Sequence, residues 1–598
     1  MTVYRTHTCG ELRQSHADER VVLSGWAARI RDLGGLIFLT VRDRYGRTQV
    51  VFDPDRSEEL VLEAKRVRQE WVVRIEGMVR TRPEQDRNAD MPTGDIEVVA
   101  DRLEVLASCE TPPLLPEDDF VPSEEHRLRH RFLDLRRARM QKILVTRHNL
   151  LQTVRRVLSK QGFLEIETPY LTRSTPEGAR DFIVPSRLHP GQWYALPQSP
   201  QTYKQILMVS GFDRYFQVVR CFRDEDFRAN RQPEFTQIDI EAAFVDEEQI
   251  RETAETLMKA VFEQALEIPF PTAVPRMTYR DAMQRYGTDK PDTRYGQELV
   301  DLTDHLAGHG FGVVDGISKA GGGAVGLCVQ GQAAVSRSWI KKWEEFVKQR
   351  GLGGLMPLRV QEDGSWANPL GKFIPAEQLQ KAADALQMGE DDLGLIALDK
   401  GMRRFEVMGM LRSALAQELG WIDESRHELL WVTDFPLVEW NEEEERYDAL
   451  HHPFTAPRYE EWERWRETDP SRIMSRAYDL VWNGHEVAGG SIRIHDRTWQ
   501  EKVFGLIGLS PEEASKRFSF LMEALQYGAP PHGGIAFGFD RMVMLATGET
   551  SIRNVIAFPK TTAGMALFEG APGVVDEDQL HELHLQEIKP KGETGEND

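Results

Sequence analysis

The chain has 598 residues, 28% charged and 40% hydrophobic, with a formal net charge of −22. That length calls for several domains with ample core, and the absence of a long apolar run leaves no transmembrane helix to expect. The negative charge argues against a nonspecific polyanion binder, though not against a specific one. Residues 1–110 hold 17 Lys and Arg against 20 Asp and Glu, so most of the excess acid lies beyond them. Any RNA partner must find local basic patches on a surface that otherwise repels it.

Residues 1 to about 105 read as five strands, Val21–Ile30, Leu36–Arg42, Arg47–Phe52, Trp71–Thr81 and Asp95–Leu106, rich in β-branched and aromatic residues and separated by turn residues. A helical segment, Ser57–Arg68 with Ser57 as N-cap, falls between the third and fourth. Five strands with a helix at that position predict an OB β-barrel, a fold that stacks single-stranded bases on aromatics beside basic side chains. Phe38, flanked by Arg29, Arg31 and Arg42, fits such a platform and fits a core position equally well. Thr111-Pro112-Pro113-Leu114-Leu115-Pro116 marks a linker or hinge. An amphipathic helix follows over about Met140–Lys160, with Ile143, Leu144, Leu151, Val154, Val157 and Leu158 apolar, and Gly162 ends it.

Gly162 to Pro169 reads as a helix stop and a strand closed by proline. The run Tyr215–Phe222 and the alternation Phe235, Gln237, Asp239, Glu241 predict a hairpin, the second strand having one polar face. Between them Arg223, Glu225, Arg228, Asn230, Arg231 and Gln232 crowd a charged loop. Taken alone, such a loop is a solvated surface as readily as a site. From about Pro291 to Trp421 the chain becomes rich in Gly and Ala and reads as an inserted domain. Strand-like runs resume at Leu430–Phe435, Glu486–Ile494 and Gly534–Phe539. The last of these is glycine-rich and enters an apolar helix through Asp540-Arg541, where an arginine is placed to fork onto a phosphate. The end, Ile588–Asp598, is polar and expected to be disordered. The cysteines Cys9, Cys109, Cys221 and Cys328 are scattered without a Cys-x-x-Cys pair, so neither zinc nor a disulfide framework is expected. MTVYRTHTCGELRQSH has no apolar stretch of a secretory signal, and a cytoplasmic location is expected.

The Pro169 segment, the Arg223 hairpin and the Arg541 turn, in that order, resemble motifs 1, 2 and 3 of the class II aminoacyl-tRNA synthetases. Ser174–Asp181, Gln198-Ser199-Pro200-Gln201 with Lys204, His451–Thr455 and Gly489–Arg493 resemble the bacterial-type aspartyl-tRNA synthetases, over about Arg5 to Lys560. The resemblance implies an α+β multidomain architecture. An OB anticodon-binding domain would occupy residues 1–108, a hinge 109–138, the catalytic antiparallel sheet flanked by helices 139–288 and 423–565, an inserted α+β domain 289–422, and a C-terminal extension 566–598.

The resemblance also implies the activity: ATP-dependent activation of L-aspartate and transfer to tRNA-Asp. No covalent protein intermediate is needed, so the site must position two anions and neutralise charge at phosphorus. On this resemblance Arg223, Glu225 and Arg541 are catalytic. Glu177, Ser199, Gln201, Lys204, Arg223, Asp239, His451, His452 and Arg493 receive aspartate, Lys204 and Arg493 meeting its side-chain carboxylate and His451 sensing a ligand carboxylate. Discrimination against asparagine would come from that cation pair being left unpaired. ATP is met by Arg223, Asp224, Glu225, Gln232, Phe235, Glu486, Gly538, Phe539, Asp540 and Arg541, with Asp479 and Glu486 holding Mg²⁺, the expected cofactor. Arg31, Phe38, Gln49 and Glu97 face the anticodon, and Pro169 lies in a homodimer interface. No DNA or membrane partner is expected. The alternatives are a form that also charges tRNA-Asn, against which Leu33 in the family's tRNA-specificity loop speaks, and a tRNA-free ligase or an RNA-binding paralogue. No Gly-x-x-x-x-Gly-Lys-Ser/Thr occurs, so a P-loop is excluded.

Overall fold

The computed structural model describes residues 4–175, 179–225, 230–360, 365–367 and 369–587. It divides into two compact units, Met1–Val145 with Arg553–Gly573, and Thr146–Ile552 with Val574–Asp598.

In the first unit the strands Arg20–Leu33, Leu36–Asp43, Gly46–Phe52, Val72–Thr81 and Ile96–Ala107 close into a barrel. The period-2 pattern sorts the side chains: Ile37, Leu39 and Val41 fill the core while Phe38, Thr40 and Arg42 are only half-buried. Phe38 is therefore not a core residue. The helix Glu58–Ala64 plugs the barrel with Val61 and Ala64, capped by Ser57, whose hydroxyl accepts from Leu60 N. It stops short of the expected Arg68 because its last turn tightens: Arg66 N and Val67 N bond the carbonyls three residues back.

The second unit is built on an eight-stranded sheet. Its order is Arg276–Thr278, Leu429–Thr433, Ala477–Trp482, His485–Ile492, His532–Gly538, Glu234–Ala243, Arg214–Phe222, Leu164–Glu165. The edge pairs are parallel and the rest antiparallel. The expected strand before Pro169 shrinks to Leu164–Glu165, and the helix before it runs Ala138–Lys160, followed by Gly162 at φ +82°. A second, four-stranded antiparallel sheet is formed by Leu299–Asp301, Gly322–Val329, Leu393–Lys400 and Met356–Leu358. Separate apolar clusters cover its two faces, one around Leu327, Leu395 and Leu411, the other around Cys328, Ile396 and Leu379. The helix Arg403–Glu418 of this region packs against the end of the helix Tyr279–Tyr286. Only glycine permits that approach: a Cβ on Gly287, at φ +67°, would stand 2.0 Å from Phe405 O. Among the described residues no helix is long and apolar enough to cross a membrane.

Candidate active site

Strand register lays out the floor of the site. Across neighbouring strands Gln217, Asp239, Ala536, Gly489 and Asp479 pair in one row, and Tyr215, Glu241, Gly534, Ser491 and Ala477 in the next. Paired and i,i+2 residues share a face, so carboxylates flank a strip of Ala and Gly. That strip leaves room for a ligand against the backbone. Gly534 is required by what lies over it, since a Cβ there would sit 2.0 Å from Glu241 Oε2.

Above the floor lies a cavity of about 710 Å³, joined by a smaller one of about 240 Å³. Arg223, Glu225, Gln237, Glu486 and Ala536 line both. In the larger one Lys204, from the helix Gln201–Val209, reaches Asp239 Oδ1 at 2.5 Å and Glu241 Oε2 at 3.3 Å. Arg493 forks onto Glu241 through Nε at 2.9 Å and Nη2 at 3.1 Å. All four side chains are at most 2% exposed. Burial alone would raise the Glu241 carboxyl, but Arg493 and Lys204 outweigh it and hold the group below the usual range, ionised. The cluster is thus balanced, two cations against two anions. This corrects the expectation that the two cations are left unpaired without aspartate. What stays open is Asp239 Oδ2, buried with no hydrogen-bond partner, and the remaining donors of Lys204 and Arg493.

The two histidines part company. His452 Nε2 accepts from Arg493 Nη1 at 2.7 Å, and burial plus the Arg493 charge push it well below the ordinary value, so it is neutral. His451 instead sits 3.3 Å from Asp479 Oδ1. Burial would lower it, but Asp479 and Glu486 prevail and raise it. His452 is therefore the one bound into the cation cluster, and His451, expected to sense a ligand carboxylate, faces acidic groups.

Asp479 and Glu486 converge over Gly489, where a Cβ would meet Asp479 Oδ1 at 2.8 Å and Glu486 Oε1 at 3.5 Å. Burial, then Glu486, raise the Asp479 carboxyl despite His451. A pair of converging carboxylates on a cavity wall suits a hard cation that takes its other ligands from phosphate and water. Among the described residues no group of three or more His, Cys, Asp or Glu could hold a metal by itself.

In the smaller cavity Arg223 Cζ lies 5.1 Å from the Phe235 ring centroid, and its Nε is buried without a partner. Arg541 donates to Glu486 O, and Gln232, Phe235, Gly538 and Asp540 line the walls. Glu225 pairs with Arg231 at 2.8 Å. The Asp540 carboxylate is occupied: Oδ1 takes Arg147 Nη1 at 2.6 Å and Oδ2 the Thr236 amide at 2.7 Å, tying the hairpin to the helix Phe539–Ala546. Phe539, expected to face nucleotide, is 1% exposed beneath Arg147, because it opens the helix on the face that Met542 and Val543 also bury. Asp224, also expected there, lines neither cavity and faces Arg180 at 3.6 Å. Ser199 and Gln201 line the larger cavity, and Glu177 lies outside the described residues.

The cavity wall also includes groups that no motif announced: Tyr279, Met283, Asp289 and Lys290, with Glu406 and Met410 from the helix Arg403–Glu418. Nothing local in the sequence marks these residues. Glu241 and Gln237, by contrast, stood in the alternating polar face.

On the barrel, Arg31 pairs with Phe38 and Thr40 with Gln49, so these side chains share the outer face. Gln49 Nε2 donates to Glu97 Oε2 at 3.1 Å, and Arg80 salt-bridges Glu97 at 2.6 Å. Arg82, missed from sequence, is 5% exposed beside them, its Nε 3.9 Å from Glu97 Oε2 and its Nε and Nη2 without a hydrogen bond. Pro169 is exposed, with Leu164, Tyr170 and Leu171 exposed nearby.

An antiparallel sheet with a charged hairpin beside a glycine-rich strand is the fold of a class II synthetase. An asparaginyl-tRNA synthetase from Pyrococcus horikoshii, solved with asparaginyl-adenylate, superposes with a TM-score of 0.59 at 19% identity, covering 94% of this chain and 99% of that one. The family described as "tRNA synthetases class II (D, K and N)" matches residues 123–562, and "OB-fold nucleic acid binding domain" matches residues 21–106. The chain belongs to the class II tRNA synthetases of the D, K and N group. Its relatives include the "Aspartate--tRNA(Asp/Asn) ligase" of Desulfosudis oleivorans, 50% identical over 586 residues and 97% of each chain. The "Aspartate--tRNA ligase" of Porphyromonas gingivalis is 48% identical over 590 residues, 98% of this chain and 99% of that one.

Proposed function

We propose that the chain is an aspartate–tRNA ligase, acting with ATP and Mg²⁺ on L-aspartate and tRNA-Asp. The observation that carries this is Arg223, with an unpartnered buried Nε, lining both the cavity that holds Lys204 and Arg493 and the cavity that holds Phe235 and Arg541. An anion on each side of one guanidinium is what the first step needs. An α-carboxylate oxygen of aspartate attacks the α-phosphorus, the bond to the bridging oxygen breaks, and pyrophosphate leaves. The tRNA 3′-terminal hydroxyl then attacks the aspartyl carbonyl, loses its proton to solvent, and AMP departs.

Lys204 and Arg493 receive the side-chain carboxylate, and the free Oδ2 of Asp239, with Ser199 and Gln201, takes the ammonium. Phe235 stacks under adenine, Glu225 accepts its amino group after releasing Arg231, and Gln232 and Gly538 shape that pocket. Arg541 receives the γ-phosphate. Asp479 and Glu486 would hold Mg²⁺, which offsets the charge of the phosphates. Neutral His452 is in keeping with a site built for an anion, since it leaves Arg493 its full charge. Phe38, Arg31, Gln49 and Glu97, with Arg82, read the anticodon by stacking and by hydrogen bonds to base edges. The exposed apolar side chains around Pro169 support a homodimer through that face, and the tRNA substrate a cytoplasmic location.

A second reading adds tRNA-Asn as substrate, supported by the double name of the relative from Desulfosudis oleivorans, whereas Leu33 speaks for the strict form. The first test is aspartate-dependent ATP–pyrophosphate exchange, expected with aspartate and at least roughly a hundredfold weaker with asparagine; no exchange would refute the reading. Charging of purified tRNA-Asp and tRNA-Asn then decides the range.

A further inference from the structure

Three buried side chains lead away from the larger cavity, and only the first has a role in the proposed reaction. Gln201 and Gln205 stand one turn apart on the helix Gln201–Val209, so they share a face. His532 opens the strand His532–Gly538. Gln205 and His532 are fully buried and line neither cavity, whereas Gln201 lines the larger one. Gln201 Nε2 donates to Gln205 Oε1 at 3.2 Å, Gln205 Nε2 meets His532 Nε2 at 3.3 Å, and His532 Nδ1 lies 2.8 Å from Pro530 O.

The far end fixes the direction of the whole chain of bonds. Pro530 O can only accept, so the imidazole proton sits on Nδ1. Burial lowers the ring below the ordinary imidazole value despite Glu241, so it is neutral. Its Nε2 is then a lone pair that must be met by a donor. Gln205 therefore turns its NH2 group to His532 and its carbonyl oxygen to Gln201. Gln201 must donate in its turn, which spends Nε2 and leaves Oε1 for the cavity. No protein donor meets that Oε1 among the described residues. An isolated amide has no such preference, since its oxygen and nitrogen are nearly alike in size and either end fits toward a ligand.

We propose that His532 is a positioning residue for aspartate: anchored on Pro530 O, it makes Gln205 and then Gln201 point one way, so that Gln201 offers an oxygen and not an NH2 group to the substrate ammonium. The inference rests on the reading of the chain as an aspartate ligase. The ammonium then finds two acceptors, Gln201 Oε1 and the open Oδ2 of Asp239. Turning Gln201 over sets its oxygen against Gln205 Oε1. Turning Gln205 as well sets an oxygen against the His532 lone pair. Either mismatch leaves buried polar groups unpaired, which costs more than a satisfied hydrogen bond contributes. The amide that faces the ligand is thus held in one orientation before the ligand arrives, by a ring that touches no part of it.

The test measures aspartate-dependent ATP–pyrophosphate exchange in the full chain and in His532→Phe and Gln205→Leu, which break the chain of bonds at different links; if one variant fails to fold, the other decides. In both, the Gln201 amide is free to turn. The aspartate KM should rise about tenfold or more, the worth of a hydrogen bond to a charged group, while the ATP KM holds. Competitive inhibition by succinate, which keeps both carboxylates and lacks the ammonium, should be unchanged. In a Gln201→Met background, His532→Phe should add nothing further to the aspartate KM. A merely structural role would weaken succinate and aspartate alike and would add to the loss in that background. Either of those results, or an unmoved aspartate KM, overturns the inference. No aspartate-dependent exchange in the wild type defeats the enzymatic reading and the inference with it, whereas exchange in the wild type with an unmoved KM in the variants defeats the inference alone.

Discussion

On the proposed assignment, removing Lys204 should separate amino-acid recognition from nucleotide binding. Its side chain is 2% exposed, with the ammonium 2.5 Å from one buried carboxylate and 3.3 Å from another. In Lys204→Ala, Asp239 and Glu241 remain with Arg493 as their one close cation, and the cluster changes from neutral to one excess negative charge. Breaking a buried pair on one side costs about 3 to 5 kcal/mol. The excess charge faces the position that the proposed function gives to the aspartate side-chain carboxylate, so the variant should repel aspartate as well as fail to hold it. Losing one charged hydrogen bond is worth about 1.5 to 3 kcal/mol, and roughly 1.4 kcal/mol is tenfold. The aspartate kcat/KM in pyrophosphate exchange should therefore fall by about one to two orders of magnitude from the lost bond alone. ATP affinity, measured by calorimetry without amino acid, should hold, because Lys204 does not line the cavity around Phe235 and Arg541. A companion variant, Lys204→Met with Asp239→Asn, restores the charge balance; it should recover thermal stability and remain unable to use aspartate. A normal aspartate KM in Lys204→Ala, with ATP binding intact, would refute the assignment.

The adjacent histidines should titrate on opposite sides of the usual imidazole value. His451 is raised, so its stabilising interaction is fully present below about pH 6.5 and fades as pH climbs through its higher folded value. His452 is lowered, so stability falls as pH drops below that same point and the unfolded chain gains a proton first. Thermal midpoints against pH for His451→Gln and His452→Gln should lose the alkaline and the acid limb respectively; identical profiles would count against the pairings. Gly534→Ala places a methyl group 2.0 Å from Glu241 Oε2 and 2.2 Å from Ile240 O. It should lower the thermal midpoint, by about 1 to 3 kcal/mol of stability, and raise the aspartate KM. Neither change would mean that Glu241 is not held over this glycine. Phe38→Ala removes a half-buried ring from outside the barrel core. tRNA affinity should drop about tenfold or more, since stacking is worth about 1 to 3 kcal/mol per base, while pyrophosphate exchange is unaffected; equal loss in both assays would make the ring structural.

Local pattern made the barrel and the hairpin legible, because alternation and turn residues act over a few positions. It also marked Asp239 and Glu241 as polar residues of one strand face. Their partners were harder to read. Lys204 lies on a helix and Arg493 beyond another strand, and only the register Glu241 to Gly534 to Ser491 brings that arginine over the carboxylate. Phe539 and Asp540 show the same limit: adjacent in a motif, one turns into the core and the other is spent on Arg147 and Thr236. The wall from Glu406 and Met410 depends on the close approach of Gly287 to Phe405 O, which are 118 positions apart.

That dependence on register also changes the account of selectivity. If the cations stood unpaired, any anion would enter, and asparagine would be rejected simply because it leaves charge exposed. With Glu241 already spanning Lys204 and Arg493, the incoming carboxylate must share donors with a resident one. Only a ligand whose own charge is delivered to the open sides of both cations is accommodated without breaking the existing pairs. An amide offers one weaker acceptor and a donor that meets Lys204 and Arg493 head-on. On the proposed assignment of Lys204 and Arg493, discrimination would come from an unfavourable donor–cation contact inside a balanced cluster, a repulsive element as well as an attractive one. On the proposed reading Glu241 would maintain it by forking onto Arg493 and standing 3.3 Å from Lys204, so that both cations stay in place.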